Sequence, residues 1–161
     1  MPEDEPDAMG LGVPPPVVYL GPLLLGLLLG RRFPLPFLPR RSRRILGLPL
    51  VGGGVLIAGW TFRKMKSADT PIVGEPLVPG KPTTTLITDG PFRHSRNPGY
   101  LAAAMVYAGI AGLANAPWPI LLLPVTLLVM RRTAIEREES YLEREFGDEY
   151  LDYKGRVRRW I

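Results

Sequence analysis

Two polar stretches of this chain hold the residue types from which a binding or catalytic site is built. Thr83 to Tyr100 reads T-T-T-L-I-T-D-G-P-F-R-H-S-R-N-P-G-Y and gathers Arg93, His94 and Arg96 between two breaks, Asp89-Gly90-Pro91 and Asn97-Pro98-Gly99. Thr133 to Trp160 carries the adjacent carboxylates Glu138 and Glu139 behind Arg131 and Arg132. A guanidinium meets a carboxylate or phosphate through paired hydrogen bonds, and a carboxylate in apolar surroundings can hold a cationic ligand. His94 is the single histidine and there is no cysteine. Disulfides, thiol catalysis and a histidine- or cysteine-rich zinc site are therefore excluded.

Each group also has an ordinary reading. The three cations can simply anchor a membrane hairpin at the headgroups. The segment from Thr133 to Phe146 is expected to form an amphipathic helix. At 100° per residue, Ile135, Leu142 and Phe146 lie within ~20° of one line, Glu139 ~40° to one side and Glu138 ~60° to the other. Both carboxylates border the apolar stripe, yet the same pattern suits a charged helix with pairs such as Glu143 with Arg144 on its solvated face.

The elements that must position these residues are set by where charge is missing. Of the 161 residues, 46% are apolar and 22% charged, but Ala8 to Gly30, Gly47 to Phe62 and Tyr100 to Met130 hold no charged residue. Three such runs in so short a chain exclude an ordinary soluble domain. Glycine and proline number 18 and 19, roughly twice their usual combined share, and many fall inside the apolar runs, where they suit close packing and broken helices. The acidic opening Met-Pro-Glu-Asp-Glu-Pro-Asp is unlike a secretory leader, so no cleaved segment is expected. The net charge of +5 comes from Lys and Arg that flank apolar runs, which fits interfacial anchors and not a nucleic-acid-binding face.

Spans are expected at residues 17–29 and 45–62, the second of ~27 Å, close to a hydrocarbon core of ~30 Å. Gly52-Gly53-Gly54 marks a place for close helix approach, and Phe33 to Pro39 reads as interfacial. The run from Tyr100 to Met130 would make one helix of ~46 Å, too long for a single span. Asn115-Ala-Pro-Trp-Pro119 interrupts it, so it is read as two short helices joined by a tight turn. That hairpin returns the chain to the side it left and brings the two polar stretches together. The fold class is thus all-α: one integral membrane domain over residues 1–161, about four transmembrane helices, a C-terminal hairpin and a cytoplasmic amphipathic helix. The side holding both polar stretches carries 14 Lys and Arg against 6 in the loop from Arg31 to Arg44. This places it in the cytoplasm, with the cell inner membrane as the expected location.

The combination G-P-F-x-x-x-R-N-P-x-Y, an apolar hairpin, then E-E-x-x-L-x-x-x-F-G-x-E-Y-x-x-Y-x-x-x-V-R-R resembles the isoprenylcysteine carboxyl methyltransferase and phospholipid methyltransferase superfamily of integral membrane enzymes. The resemblance covers residues 83–161, about half the chain, and is more specific for the superfamily than for a substrate. It implies an S-adenosyl-L-methionine pocket lined by Thr84, Thr85, Leu86, Ile87, Phe92, Asn97, Pro98, Gly99 and Tyr100, with Glu138, the first glutamate of the pair, also contacting cofactor. Three departures stand out: Asn97 where many members have histidine, Phe92 where they have tyrosine, and Thr84 where prenylcysteine enzymes have histidine. Asn97 still offers a donor and an acceptor, and Phe92 keeps an aromatic surface without the hydroxyl. Prenylcysteine enzymes also carry an arginine one turn before the first glutamate, where this chain has Ala134, with Arg131 and Arg132 nearby.

The activity implied is methyl transfer to a lipophilic small-molecule acceptor at the membrane face. Glu138 would bind the cationic end of the cofactor, Arg96 would orient the cofactor carboxylate or an acidic substrate, and Arg132, ~60° from the apolar line, would replace the missing arginine. The acceptor can be a prenyl carboxylate, a phospholipid, or a small amine or thiol. A membrane sterol reductase using NADPH has a similar C-terminal pattern and is the competing enzyme reading, although its larger set of spans is missing. A non-enzymatic helical membrane protein is the third reading. No nucleic acid, metal or soluble protein partner is implied.

Overall fold

The computed structural model describes residues 14–35, 37–68 and 85–161. Thr84, the first of the expected cofactor-pocket residues, lies outside them. Among the described residues there are six α-helices: α1 Pro15–Arg32, α2 Arg40–Ser67, α3 Pro98–Leu113, α4 Pro117–Met130, α5 Glu136–Phe146 and α6 Asp148–Arg156. There is no strand among the described residues.

The expected spans at 17–29 and 45–62 fall inside α1 and α2, which are longer at both ends. Charged residues end a hydrophobic run without ending a helix, so Arg31 and Arg32 close α1, and four arginines lie in the opening turns of α2. Pro22 and Pro49 are held inside these helices, where neighbouring helices help satisfy the freed backbone groups. The break in the third apolar run is where the prolines put it. Helix α3 stops at Leu113, Asn115 takes the left-handed backbone (φ +53°), and Pro117 starts α4.

Helix α2 packs along α3, and α1 along α4. Small residues set the first contact. A Cβ added to Gly54 would stand 2.8 Å from the Ala102 carbonyl oxygen, and one added to Gly109 would stand 2.8 Å from the Val51 backbone nitrogen. Backbones this close leave no room for side chains, which is how apolar helices gain packing when lipid is no worse a solvent than their neighbour. Of the three consecutive glycines, Gly54 makes the intimate contact, Gly53 faces Met105, and Gly52 has open space. Gly26 plays the corresponding part on α1, against the backbone of Pro119.

The outer faces are apolar too. Leu24, Leu28, Leu56, Leu121 and Val125 are exposed, an arrangement that water penalises and hydrocarbon does not. Helix α2 and the continuous helical run Pro117–Phe146 are long and apolar enough to cross a membrane. Polar groups join the connections at one end of the bundle. Asn115 Oδ1 accepts from the backbone N–H groups of Phe37 (3.3 Å) and Leu38 (2.9 Å), and Trp118 Nε1 donates to the Phe33 carbonyl at 2.9 Å. At the opposite end Tyr19 Oη donates to the Tyr100 carbonyl at 3.0 Å. Both polar stretches meet at this second end.

The expected helix from Thr133 is corrected in one respect. Arg131–Ile135 forms a wide π-type turn, and the regular helix α5 begins at Glu136. A π turn closes i→i+5 hydrogen bonds and so winds fewer degrees per residue than an α-helix. Angles counted at a uniform 100° across it are therefore misphased, and this bears on Arg132.

Candidate functional site

The site is assembled at the end of the bundle where α3 begins and α4 finishes. Gly90, at φ +61°, makes the turn that the Asp89-Gly90-Pro91 sequence requires and opens a short 3₁₀ turn, Gly90–Arg93. Lys64 of α2 pairs with Asp89 and fastens this turn to the bundle. Asn97 then precedes α3, with Pro98 as its first helical residue. On the other side, α5 follows α4 through the wide turn. Gly147, at φ +52°, separates α5 from α6.

The adjacent glutamates have separate environments. Glu138 stands beyond the apolar run that ends at Met130, and its Oε2 accepts a long hydrogen bond from Tyr100 Oη at 3.4 Å. No cation pairs with it among the described residues. Burial pushes its pKa up to about 7, with the Glu139 charge adding to the rise and the Tyr100 bond opposing it. Glu139 is buried and fully engaged. Arg159 grips it with Nε on Oε1 at 2.9 Å and Nη2 on Oε2 at 2.7 Å, while Arg96 Nη2 lies 3.2 Å from Oε1. Helix phase alone placed both carboxylates at the edge of the apolar stripe. It could not say which one would be neutralised, because both arginines come from outside the helix.

Arg96 is the second unusual group. Its side chain is 10% exposed, and Nε and Nη1 are buried with no hydrogen-bond partner. Tyr150 and Tyr153 of α6 surround this region, both buried. Burial pushes the Tyr150 phenol up to about 12 and also raises Tyr153, whose hydroxyl donates to the Phe92 carbonyl at 2.7 Å. The carboxyl-terminal residues close over the segment before α3. Asn97 Nδ2 donates to the Arg159 carbonyl at 3.0 Å, Ser95 Oγ donates to the same oxygen at 3.3 Å, and Arg96 N–H donates to the Arg158 carbonyl at 3.0 Å.

The structure therefore brings Phe92, Arg96, Asn97, Pro98, Tyr100 and Glu138 to one end of the bundle. Pro98 and Tyr100 are buried, Gly99 is exposed, Leu86 and Ile87 are half-buried, and Thr85 is exposed. Asn97 spends its amide N–H on the carboxyl-terminal segment. Arg132 stands apart: its side chain is 68% exposed and faces Glu136 at 3.8 Å, outside the buried cluster, the wide turn having shifted its angular position. Glu143 pairs with Lys154 at 2.8 Å, in place of the expected Arg144. Arg159, Tyr150 and Tyr153 were missed as site residues. The tyrosines were visible in the E-Y-x-x-Y pattern, whereas nothing in the local sequence singles out Arg159 from its basic neighbours.

Apolar helices ending in a buried cluster of carboxylates, arginines and tyrosines define a helical membrane protein with a polar site at one end of its bundle. The phospholipid methyltransferase family model matches residues 42–149, a range that takes in nearly all of α2, Arg96, Tyr100 and the paired glutamates and stops short of Tyr150, Tyr153 and Arg159. The chain belongs to the phospholipid methyltransferase family. It is also 54% identical over 37 residues to an uncharacterized protein of Haemophilus influenzae (strain ATCC 51907 / DSM 11121 / KW20 / Rd). That match covers 23% of this chain and 59% of the relative. No solved structure matches.

Proposed function

We propose that this chain is an S-adenosylmethionine-dependent methyltransferase whose acceptor is lipophilic and enters from the bilayer. Glu138 is the observation that carries the reading. A carboxylate beside Tyr100 with no paired cation among the described residues is matched to a ligand bearing positive charge, and the cofactor's cationic end provides one. Burial holds back its ionisation until such a charge arrives. Phe92 and Tyr100 offer aromatic surface, and Leu86 and Ile87 apolar surface, for the adenosine, with Thr85, Asn97, Pro98 and Gly99 completing the wall. When bound, S-adenosylmethionine supplies a methyl group already activated by its sulfonium. The chain's own residues then need to align an acceptor and exclude water, not to form a covalent intermediate.

Ala134 bears on the acceptor. It is 3% exposed and packs in the apolar cluster with Met130, Ile135 and Tyr107. No arginine stands where the prenylcysteine enzymes are expected to hold a carboxylate, and Arg132 is turned to the surface. A phospholipid or other lipid amine therefore fits this site better than a prenyl carboxylate, and the family match supports the same choice. In a four-span arrangement, the excess of Lys and Arg at the site end supports a site facing the cytoplasm from the inner membrane.

The test is transfer of labelled methyl from S-adenosylmethionine to total host lipids and, separately, to the aqueous fraction. Label is expected in the lipids and should survive mild alkali, since an N-methyl group is stable where a methyl ester releases methanol. Alkali-labile label would restore the carboxylate acceptor. Label confined to aqueous products would overturn lateral entry. Binding of NADPH in place of S-adenosylhomocysteine, with no methyl transfer, would return the sterol-reductase reading.

A further inference from the structure

In the cluster Arg96–Glu139–Arg159 two guanidinium groups share one buried carboxylate, and Arg159 also faces Glu136 at 3.9 Å. The geometry shows which of the two guanidinium groups is left short of acceptors. Arg159 takes both oxygens of Glu139 in a fork, and Arg96 shares only Oε1, through Nη2. Nε and Nη1 of Arg96 are left buried and unpartnered on a side chain that is nine-tenths buried. Charged donors removed from water without an acceptor are costly, and an oxyanion satisfies them with charge-assisted bonds. The flanking aromatic groups, Tyr150 and Tyr153, are raised in pKa by burial and stay neutral, so neither can supply the missing anion. Glu143 is already paired with Lys154.

We propose that Arg96 is the recognition point for one oxyanion of the ligand, a carboxylate or a phosphate, and that Arg159 is its positioning residue. Arg159 acts by occupying Glu139, which would otherwise be free to turn both oxygens on Arg96 and close the subsite. The chain's last residues form the strap that brings Arg159 there, through the bonds of Ser95, Asn97 and the Arg96 backbone to the carbonyls of Arg158 and Arg159. This deepens the methyltransferase reading, because the oxyanion has two sources: the carboxylate of the cofactor or the phosphate of a lipid headgroup.

The experiment uses the full-length protein in detergent micelles, with calorimetric titration of S-adenosylhomocysteine and of 5′-methylthioadenosine, which lacks the amino-acid portion. Phosphatidic acid and phosphatidylcholine are titrated in mixed micelles, and inorganic phosphate is followed by thermal shift. If the cofactor carboxylate is the occupant, Arg96→Gln weakens S-adenosylhomocysteine at least tenfold and leaves 5′-methylthioadenosine within twofold. If a headgroup is the occupant, the nucleosides are unchanged and the preference for phosphatidic acid is lost. In either case Arg159→Gln moves the same ligand in the same direction, and Arg159→Lys recovers part of the effect. A purely structural role for Arg159 would weaken all ligands alike and refute the positioning claim. If the parent binds neither nucleoside, the methyltransferase reading fails by itself, and stabilisation by phosphate that disappears in Arg96→Gln still supports the subsite. Parental affinity for every probe in folded Arg96→Gln protein overturns it.

Discussion

At the scale of single residues, neighbouring glutamates differ because one is neutralised by its surroundings and the other is not. Glu138 is ordinarily half-ionised near pH 4.5 and here near pH 7, so between these values the folded site holds a proton that the unfolded chain has lost. Its raised pKa therefore costs stability increasingly as pH rises from about 4.5 to about 7. For a cationic ligand the sign reverses, because the ligand needs the ionised form and favours it. S-adenosylmethionine affinity, measured by calorimetry, is expected to be level above pH 7 and to fall toward tenfold per unit below it, with proton release on binding. Glu138→Gln should remove this pH dependence and weaken binding on the order of 10- to 100-fold above pH 7. Glu143→Gln, which loses a half-exposed pair with Lys154, should match the parent. The sequence made Glu138 and Glu139 visible as candidates through their position beside an apolar stripe. Their division of labour depends on Arg96 and Arg159, 43 and 20 positions away from Glu139, and no local spacing carries that information.

At the scale of elements, helix existence was legible and helix ends were less so. The apolar run fixed where α2 could cross a membrane, but Arg40 to Arg44 and Arg63 to Lys66 remain helical because charge does not break a helix as proline and glycine do. The turn at Asn115 was legible for the opposite reason: Pro117 cannot continue a helix from its amino side. The wide turn at Arg131–Ile135 was not legible, since its residues R-R-T-A-I are all acceptable in an ordinary helix. Packing between elements gives a direct test. Gly109→Ala would put a methyl group 2.6 Å from Val51 Cγ2 and 2.8 Å from its backbone nitrogen. It should destabilise the folded protein by about 1–3 kcal/mol, read as a lower thermal midpoint in detergent. Gly59→Ala meets nothing within 4 Å and, with alanine the better helix former, should be neutral or slightly stabilising.

At the scale of the whole molecule, two helix pairs place the α1–α2 and α3–α4 connections at one end and the described parts of both polar stretches at the other. The absence of cysteine makes this arrangement open to single-cysteine labelling in intact membranes. Cysteines introduced at positions 98 and 131 are expected to react from the same side, and one at position 114 from the other; opposite-side labelling of 98 and 131 would rule out the hairpin. The polar bonds at the two ends also differ in kind. Around Asn115 and Trp118 they join backbone to side chain between the two connections, and no ionisable side chain takes part in them. At the other end, the bonds of Glu138, Glu139, Arg96 and Arg159 are the same ones that the proposed ligand would compete for or complete. The bundle thus has a pinned end and a working end. Rearranging hydrogen bonds around an incoming ligand leaves the clasp at the pinned end intact, so the helix pairs stay in register while the working end changes partners.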